Sequence, residues 1–134
     1  GIGLDMTMRD KQKEAKKAGN PWSIAKGFDT SAALSAFVPK ALVKDPHALE
    51  IMLKVNGQIR QQSNTSNMIF RIDVIVSFLS SVFTLEEGDV IYTGTPEGVG
   101  PVVSGDVIDA EIPGVGTLHH MVVSDQHSFP RTAN

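Results

Sequence analysis

The stretch LEIMLKVNGQIRQQ, residues 49 to 62, predicts a β-hairpin and therefore a fold built around a sheet. Residues 49 to 55 alternate apolar and polar side chains, which is the period-two pattern of a strand with one buried face. Asn56–Gly57 favours the tight turn of a two-residue hairpin. Residues 58 to 62 are therefore predicted to return as the partner strand.

More β-structure is predicted nearer the C-terminus. Residues 106 to 112 and 117 to 123 are predicted to form a second hairpin across the turn sequence PGVG. Residues 89 to 92 are predicted to form a short buried strand, which leads into the glycine-rich stretch TGTPEGVG, residues 93 to 100. The predicted core is therefore largely β.

Two helices are predicted beside the strands. Residues 7 to 18 are predicted to form a helix that is stopped by Gly19. Thr7 and Asp10 have the spacing of a capping box at the start of this helix. Residues 72 to 83 repeat apolar side chains at helical spacing, which we weigh above their β-branched content.

The order of these elements indicates an α+β fold, mostly β, because the strands do not alternate regularly with helices as they do in a doubly wound nucleotide-binding fold. Residues 22 to 40 are predicted to be irregular and residues 63 to 67 to form a polar loop. The residues from about 125 onwards are predicted to be frayed. The length of 134 residues predicts one domain.

The composition excludes several classes of function. The net charge is −3, so neither nucleic acid nor an acidic membrane surface is a predicted partner. No apolar run reaches the roughly 18 residues of a membrane-spanning helix. The chain has no cysteine, which excludes disulfides, thiolate metal sites and cysteine nucleophiles. We expect a reducing compartment, either the cytoplasm or the mitochondrial matrix.

The chain begins at Gly1 with GIGLD, which reads like the middle of a strand running into a turn. The first residue is not methionine, and no targeting segment is visible. We therefore expect this chain to be a piece of a longer protein.

The stretch TGTPEGVG has two interpretations. It lacks the Lys–Ser/Thr pair of a phosphate-binding loop, and Pro101 prevents the helix that a dinucleotide-binding loop would open. A plain tight turn between strands explains its glycines. The alternative is that a hydroxyl group of Thr93 or Thr95, together with free backbone N–H groups, holds a small carboxylate.

Asp5 and Lys26 are the other candidate site residues. Asp5 precedes a predicted helix, so its carboxylate either caps that helix or binds a hard divalent cation. Lys26 lies near Trp22 in the sequence and is either a surface lysine or an anchored cation for an oxyanion. His119 and His120 are adjacent, so on a strand they face opposite ways and cannot serve one site.

Five short motifs are spread across nearly the whole chain. They are LDMTMRDKQ (4 to 12), GNPWSIAKGFDT (19 to 30), LKVNGQIRQ (53 to 61), NTSNMIF (64 to 70) and LEEGDVIYTGTPEGVGP (85 to 101). In this order they resemble the fumarylacetoacetate hydrolase superfamily, and most closely its acylpyruvase and oxaloacetate decarboxylase branch.

The resemblance implies a mixed β-roll fold, a divalent cation (Mg²⁺ or Mn²⁺) and a homodimer. It implies small 2-oxo acids as substrates and cleavage of a C–C bond through a metal-stabilised enolate, in acylpyruvate hydrolysis or oxaloacetate decarboxylation. Isomerisation of a 2-oxo-3-ene diacid is a rival reaction within the family. A catalytically inert structural or dimerising module is the alternative from another class.

Carried over position by position, the resemblance implies six site residues. Asp5 matches the metal-binding aspartate, and Thr30 matches a threonine near the metal. Lys26 matches a catalytic lysine that stabilises negative charge on the substrate. The positions implied to bind substrate are Arg9, Gln12 and Thr95.

The chain also departs from the family pattern. The family takes two further metal carboxylates from a Glu-x-Glu motif, and the acylpyruvase branch takes a water-activating His–Glu pair, both upstream of LDMT. Neither motif precedes Asp5 in this chain. We therefore expect residues 1 to 134 to be a single domain that is the C-terminal part of the family's catalytic domain.

Overall fold

A computed structural model describes residues 1 to 124, and the predicted frayed end from residue 125 lies outside them. The elements in chain order are β1 (Gly3–Asp5), α1 (Arg9–Ala18), α2 (Ser23–Lys26), β2 (Ala32–Leu34), β3 (Glu50–Val55), β4 (Gln58–Asn64), α3 (Ile72–Val82), β5 (Val107–Ile112) and β6 (Gly116–Met121). Within residues 1 to 124, no helix combines the length and the apolar character needed to cross a membrane.

The strands form two antiparallel sheets. The larger has the order β4-β3-β5-β6, and the smaller pairs β1 with β2. Leu53 lies opposite Ala110, which in turn lies opposite Leu118, so these three residues form one row across the inner face of the larger sheet. The predicted α+β class with a mostly β core is confirmed, and the described strands make an open sheet rather than a closed barrel.

The core lies between β1 and the inner face of β5 and β6. Ile2 and Leu4 are buried there because side chains alternate along β1. They pack against the buried side chains of Ile108, Ala110, Ile112 and Leu118. This packing leaves the other face of β1, with Gly3 and Asp5, free to face the candidate site.

Both predicted hairpins are confirmed. Asn56 and Gly57 have φ angles of 51° and 77°, as a two-residue hairpin turn requires. The Asn56 side chain also joins the two hairpins, because its Nδ2 donates to Asp106 Oδ1 at 2.8 Å and its Oδ1 accepts from the Val107 N–H at 2.8 Å. The Val103 N–H and the Asn56 amide lower the pKa of Asp106 by donating to its carboxylate.

Both predicted helices are confirmed, but the predicted capping box is wrong. α1 begins at Arg9 after Met8, which makes no side-chain cap. Thr7 precedes the capping position, and its hydroxyl donates to the carbonyl of Asp5 at 3.4 Å. The helix ends at Gly19 as predicted.

Two predictions of irregular structure and one prediction of a strand are wrong. Residues 22 to 40 contain α2 and β2, because β2 pairs with β1 from far along the chain. Ser63 and Asn64 belong to β4, where they pair with Ile51 and Glu50. Residues 89 to 92 form no strand, because no strand among the described residues pairs with them.

Candidate functional site

Asp5 and Lys26 meet although they are distant in the sequence. β1 ends at Asp5, on the face opposite the buried Leu4. Lys26 ends α2, which is anchored by the buried Ala25 and by a hydrogen bond from the Met8 N–H to the Ala25 carbonyl at 3.0 Å. The Lys26 ammonium Nζ lies 2.7 Å from Asp5 Oδ2, and both side chains are partly exposed.

The TGTPEGVG loop is held against β4. The backbone of Gly98 lies so close to the carbonyl of Arg60 that a Cβ at this position would overlap its oxygen. Gln61, the next residue on β4, donates from Nε2 to Thr95 Oγ1 at 2.8 Å and to the Pro96 carbonyl at 2.9 Å. These contacts fix the position of Thr95 relative to the sheet.

One cleft of about 680 Å³ contains most of the predicted site residues. Its lining includes four of the six, each from a different part of the fold: Asp5, Arg9, Lys26 and Thr95. The structure therefore brings together the strand end, the start of α1, the end of α2 and the glycine-rich loop.

Gln12 and Thr30 lie outside the lining of this cleft. Gln12 contacts the site through Arg9, because its Oε1 accepts a hydrogen bond from Arg9 Nη1 at 2.9 Å. Thr30 lies just before β2 and has a φ angle of 69°, a conformation that strains a β-branched residue. Its neighbour Ser31 accepts from the Met6 N–H at 2.8 Å, which places Thr30 beside the end of β1.

The charges in the cleft are balanced. Its lining carries three basic side chains, Arg9, Lys26 and Arg60, and three acidic ones, Asp5, Asp10 and Glu111. The lining therefore gives an anionic substrate no net attraction, and a bound divalent cation would shift the balance towards anions.

Asp5 fits one position of a divalent cation site. Carboxylate oxygens are the ligands that Mg²⁺ and Mn²⁺ prefer. Lys26 contacts Oδ2, and within residues 1 to 124 no hydrogen bond reaches Oδ1. The same residues contain no group of three His, Cys, Asp or Glu side chains that could hold a metal ion. Within the described residues, Asp5 therefore belongs to no group of three such side chains that could hold the ion without further ligands.

Tyr92 lies beside Asp5 in the cleft. Its ring is packed against Gly3, since a Cβ built on Gly3 would lie 2.7 Å from the Tyr92 ring carbon Cε1. Burial raises the pKa of the Tyr92 phenol above its usual value of 10.0, and the negative charge of Asp5 raises it further. The phenol is therefore neutral at physiological pH.

We predict an alkaline titration that reports the proximity of Asp5 and Tyr92. Tyr92 is the only tyrosine, so the ultraviolet absorbance of phenolate measures this group alone. Its midpoint is expected above 10.0 in the wild type and lower in Asp5→Asn, though still raised because burial is the larger cause. A raised folded-state pKa implies stability that is present below pH 10.0 and lost as the pH rises through the Tyr92 pKa. An unchanged midpoint in Asp5→Asn would contradict this arrangement.

Three residues of the cleft region were not predicted as site residues. Tyr92 was assigned to a buried strand, and Arg60 and Gln61 were assigned to a hairpin strand without a role. The motif LKVNGQIRQ contains Arg60 and Gln61, but only the structure shows which of its side chains face the glycine-rich loop.

The fold and the cleft define a class of protein. The sequence profile of the family described as Fumarylacetoacetate (FAA) hydrolase C-terminal matches residues 1–123. The chain therefore belongs to the fumarylacetoacetate hydrolase family, which confirms the resemblance of the five motifs.

Three proteins within or near this class illustrate what the chain is similar to. The chain is 53% identical over 124 residues to the mitochondrial oxaloacetate tautomerase FAHD1 of Mus musculus, which covers 92% of this chain and 56% of that protein. It is 42% identical to the solved fumarylpyruvate hydrolase of Pseudomonas aeruginosa in complex with Mn²⁺ and pyruvate, with a TM-score of 0.88 over 92% of this chain and 53% of the other. It is 42% identical to the solved 2-hydroxyhepta-2,4-diene-1,7-dioate isomerase of Mycobacterium marinum, with a TM-score of 0.81 over 91% of this chain and 46% of the other.

These relatives are named as enzymes, and one of them binds a divalent metal ion. The chain spans about half the length of the curated relatives it matches, between 52% and 56%.

Proposed function

We propose that the protein carrying this chain is a divalent-metal-dependent enzyme that acts on small 2-oxo acids through an enolate. The reactions within this proposal are keto–enol tautomerisation of oxaloacetate and cleavage of a C–C bond, as in acylpyruvate hydrolysis or oxaloacetate decarboxylation. All of them develop negative charge on the oxygen of the 2-keto group. The observation that carries the proposal is the single cleft that brings Asp5, Lys26 and Thr95 together.

The chain's own residues have distinct roles in this proposal. Lys26 is the catalytic residue, because its ammonium group is a donor and a fixed positive charge for the developing oxyanion. Asp5 holds Lys26 at 2.7 Å and so sets where that charge lies. Thr95 binds the carboxylate of the substrate, and Arg9, oriented by Gln12, is a second donor to the substrate.

Asp5 is also the proposed ligand of Mg²⁺ or Mn²⁺, with Thr30 close to the end of the same strand pair. When bound, the cation would act as a Lewis acid that stabilises negative charge on the substrate. Support comes from the Mn²⁺ complex of the Pseudomonas aeruginosa relative and from the open oxygen Oδ1 of Asp5.

A substrate panel tests the proposal and separates its reactions. Oxaloacetate and fumarylpyruvate are offered to the protein with Mn²⁺ and again after chelation of the metal. We expect metal-dependent acceleration of oxaloacetate enol–keto exchange, because tautomerases are among the relatives with the higher identity. Formation of pyruvate from fumarylpyruvate would instead establish C–C hydrolysis. Absence of both activities with Mg²⁺ and with Mn²⁺ would contradict the proposal.

We predict that Lys26→Met lowers kcat by about 100-fold, because one donor to the developing oxyanion is lost. Steady-state kinetics with oxaloacetate measures the effect. Lys26→Arg keeps the charge and is expected to recover part of the rate. Lys13→Met, on the exposed surface of α1, is the matched control and is expected to keep the wild-type kcat. A kcat for Lys26→Met within about twofold of the wild type would remove Lys26 from the mechanism.

A second candidate function is a catalytically inert structural or dimerising module. The observation that favours it is that residues 1 to 124 contain no group of three His, Cys, Asp or Glu side chains that could hold a metal ion. Calorimetric titration of the chain with Mg²⁺ separates the two candidates, because binding at micromolar strength argues against an inert module.

We also propose a homodimer, one domain over residues 1 to 134, and a location in the cytoplasm or the mitochondrial matrix. The exposed apolar side chains of Ile69, Phe70 and Phe78 support an interface between copies. The mitochondrial names of the relatives support the matrix. Sedimentation measures the assembly state.

A further inference from the structure

We propose that Gln61 is a positioning residue that fixes the Thr95 hydroxyl as a donor aimed at the carboxylate of a 2-oxo acid. This inference rests on the proposed function, which assigns Thr95 to that carboxylate. The resemblance implies no role for Gln61. The role follows from the β-bulge beside Gln61, from the orientation of its amide and from the hydrogen bonds of Thr95.

A β-bulge turns Gln61 towards the cleft. Ile59 on β4 lies opposite Lys54. The next pair joins Gln61 to Leu53, so Arg60 is an extra residue on β4. Because side chains alternate along a strand, a regular β4 would place Gln61 on the same face as Ile59. The extra residue moves Gln61 to the face of Leu53, and both side chains line the cleft.

The carbonyl groups of the loop determine which end of the Gln61 amide faces Thr95. Nε2 lies 2.9 Å from the Pro96 carbonyl oxygen and 3.4 Å from the Glu97 carbonyl oxygen. Carbonyl oxygens only accept, so the amide nitrogen must face the loop. The same Nε2 lies 2.8 Å from Thr95 Oγ1. Gln61 is therefore the donor of this bond, and the Thr95 oxygen accepts.

A hydroxyl that accepts from Gln61 keeps its own proton for another acceptor. A threonine hydroxyl has one donor and two acceptor positions. Within residues 1 to 124 the Thr95 hydroxyl donates to no side chain or carbonyl, and Thr95 lines the cleft. Its proton is thus available to an anion there. A carboxylate suits it, because hydrogen bonds to charged acceptors are roughly twice as strong as those between neutral groups.

A double-mutant cycle with oxaloacetate as the substrate tests this coupling. Thr95→Val is expected to raise KM by about 10-fold through the loss of one hydrogen bond to a charged group. Gln61→Leu is expected to raise KM by a similar factor and to leave kcat within about threefold, because the hydrogen bond to the carboxylate stabilises the ground state and the transition state equally. The double variant is expected to match Thr95→Val within about twofold, because Gln61 acts through Thr95.

A pH profile supplies a readout that a purely structural role would not move. In Gln61→Glu at neutral pH, the introduced carboxylate accepts the Thr95 proton, so KM rises by about 10-fold. The loop carbonyls raise the pKa of that carboxyl above its ordinary value of about 4.3, because they disfavour its charged form. KM should therefore fall back towards the wild-type value as the pH is lowered to about 5. Wild type and Gln61→Leu are expected to show no such recovery.

The outcomes separate this inference from the proposed function. If Thr95→Val raises KM while Gln61→Leu and Gln61→Glu leave it unchanged, the inference is overturned and the assignment of Thr95 stands. Additive effects in the double variant, or a flat pH profile in Gln61→Glu, also overturn it. An unchanged KM in Thr95→Val overturns both. Gln61→Glu keeps the size of the side chain and carries the test if Gln61→Leu does not fold.

Discussion

Asp5→Asn is expected to lower metal-dependent turnover of oxaloacetate by more than about 1,000-fold. The substitution replaces a charged oxygen ligand with a neutral amide, and Lewis-acid stabilisation of the reaction is worth several kcal/mol. It also removes the partner that holds the Lys26 ammonium at 2.7 Å. Turnover is measured at saturating Mn²⁺ and at several Mn²⁺ concentrations, so that weaker metal binding is separated from slower chemistry.

Asp10→Asn is the matched control for Asp5→Asn. Asp10 lines the same cleft from the first turn of α1, and its loss changes the net charge of the lining by the same amount. We expect Asp10→Asn to keep turnover within a few-fold of the wild type, since its effect is a screened long-range one. Equal losses in the two variants would show that the charge of the cleft, and not the ligand Asp5, carries the effect.

Gly98→Ala is expected to destabilise the fold by about 3 kcal/mol and to displace the glycine-rich loop. A Cβ at this position would overlap the carbonyl oxygen of Arg60, which belongs to a strand and cannot move aside cheaply. The φ angle of 95° adds the strain of a left-handed conformation. The new Cβ would also lie 3.3 Å from the Gln61 side chain, so the loss should extend to Thr95. Urea unfolding followed by the fluorescence of the single tryptophan, Trp22, measures the change.

Gly94→Ala separates the two causes. Gly94 has a similar φ angle of 108°, but a Cβ there would have no atom within 4 Å. We expect a loss of only about 1 kcal/mol, from backbone strain alone. If Gly98→Ala and Gly94→Ala lose the same stability, the close approach of the loop to β4 is not what holds it.

Much of the fold could be predicted because its signals are local. The hairpin at Asn56–Gly57 needs only alternation and a turn sequence with positive φ angles, and both are visible within residues 49 to 62. α3 is equally local, because its apolar spacing repeats within one segment. These elements therefore agree with the structure over nearly their whole length.

The wrong predictions concern strand pairing and the exact start of a helix. The residue types of one short segment do not determine either of them. β2 exists because Ala32 pairs with Asp5, a residue in a separate part of the chain. The predicted strand at residues 89 to 92 does not form, because no strand among the described residues pairs with it. Thr7 does not cap α1, because the helix begins at Arg9 and its capping position is Met8.

In the candidate site, too, some residues could be predicted from the sequence and others could not. The resemblance selected Asp5, Lys26 and Thr95, and the structure places all three in one cleft. Gln61 was not selected because strict alternation along β4 points it away from the cleft. Only the extra residue Arg60 reverses that direction, and a bulge of this kind has no reliable local signal.

We propose that Asp5 binds a divalent cation in the cleft where the substrate reacts. The most direct measurement is paramagnetic broadening of backbone amide signals by substoichiometric Mn²⁺ in the protein carrying this chain. We predict that the signals of Leu4 to Met6 and of Lys26 disappear first, and that Asp5→Asn abolishes this selectivity. Broadening centred instead on the exposed Asp109–His119 pair, or selective broadening at β1 that persists in Asp5→Asn, would contradict the account.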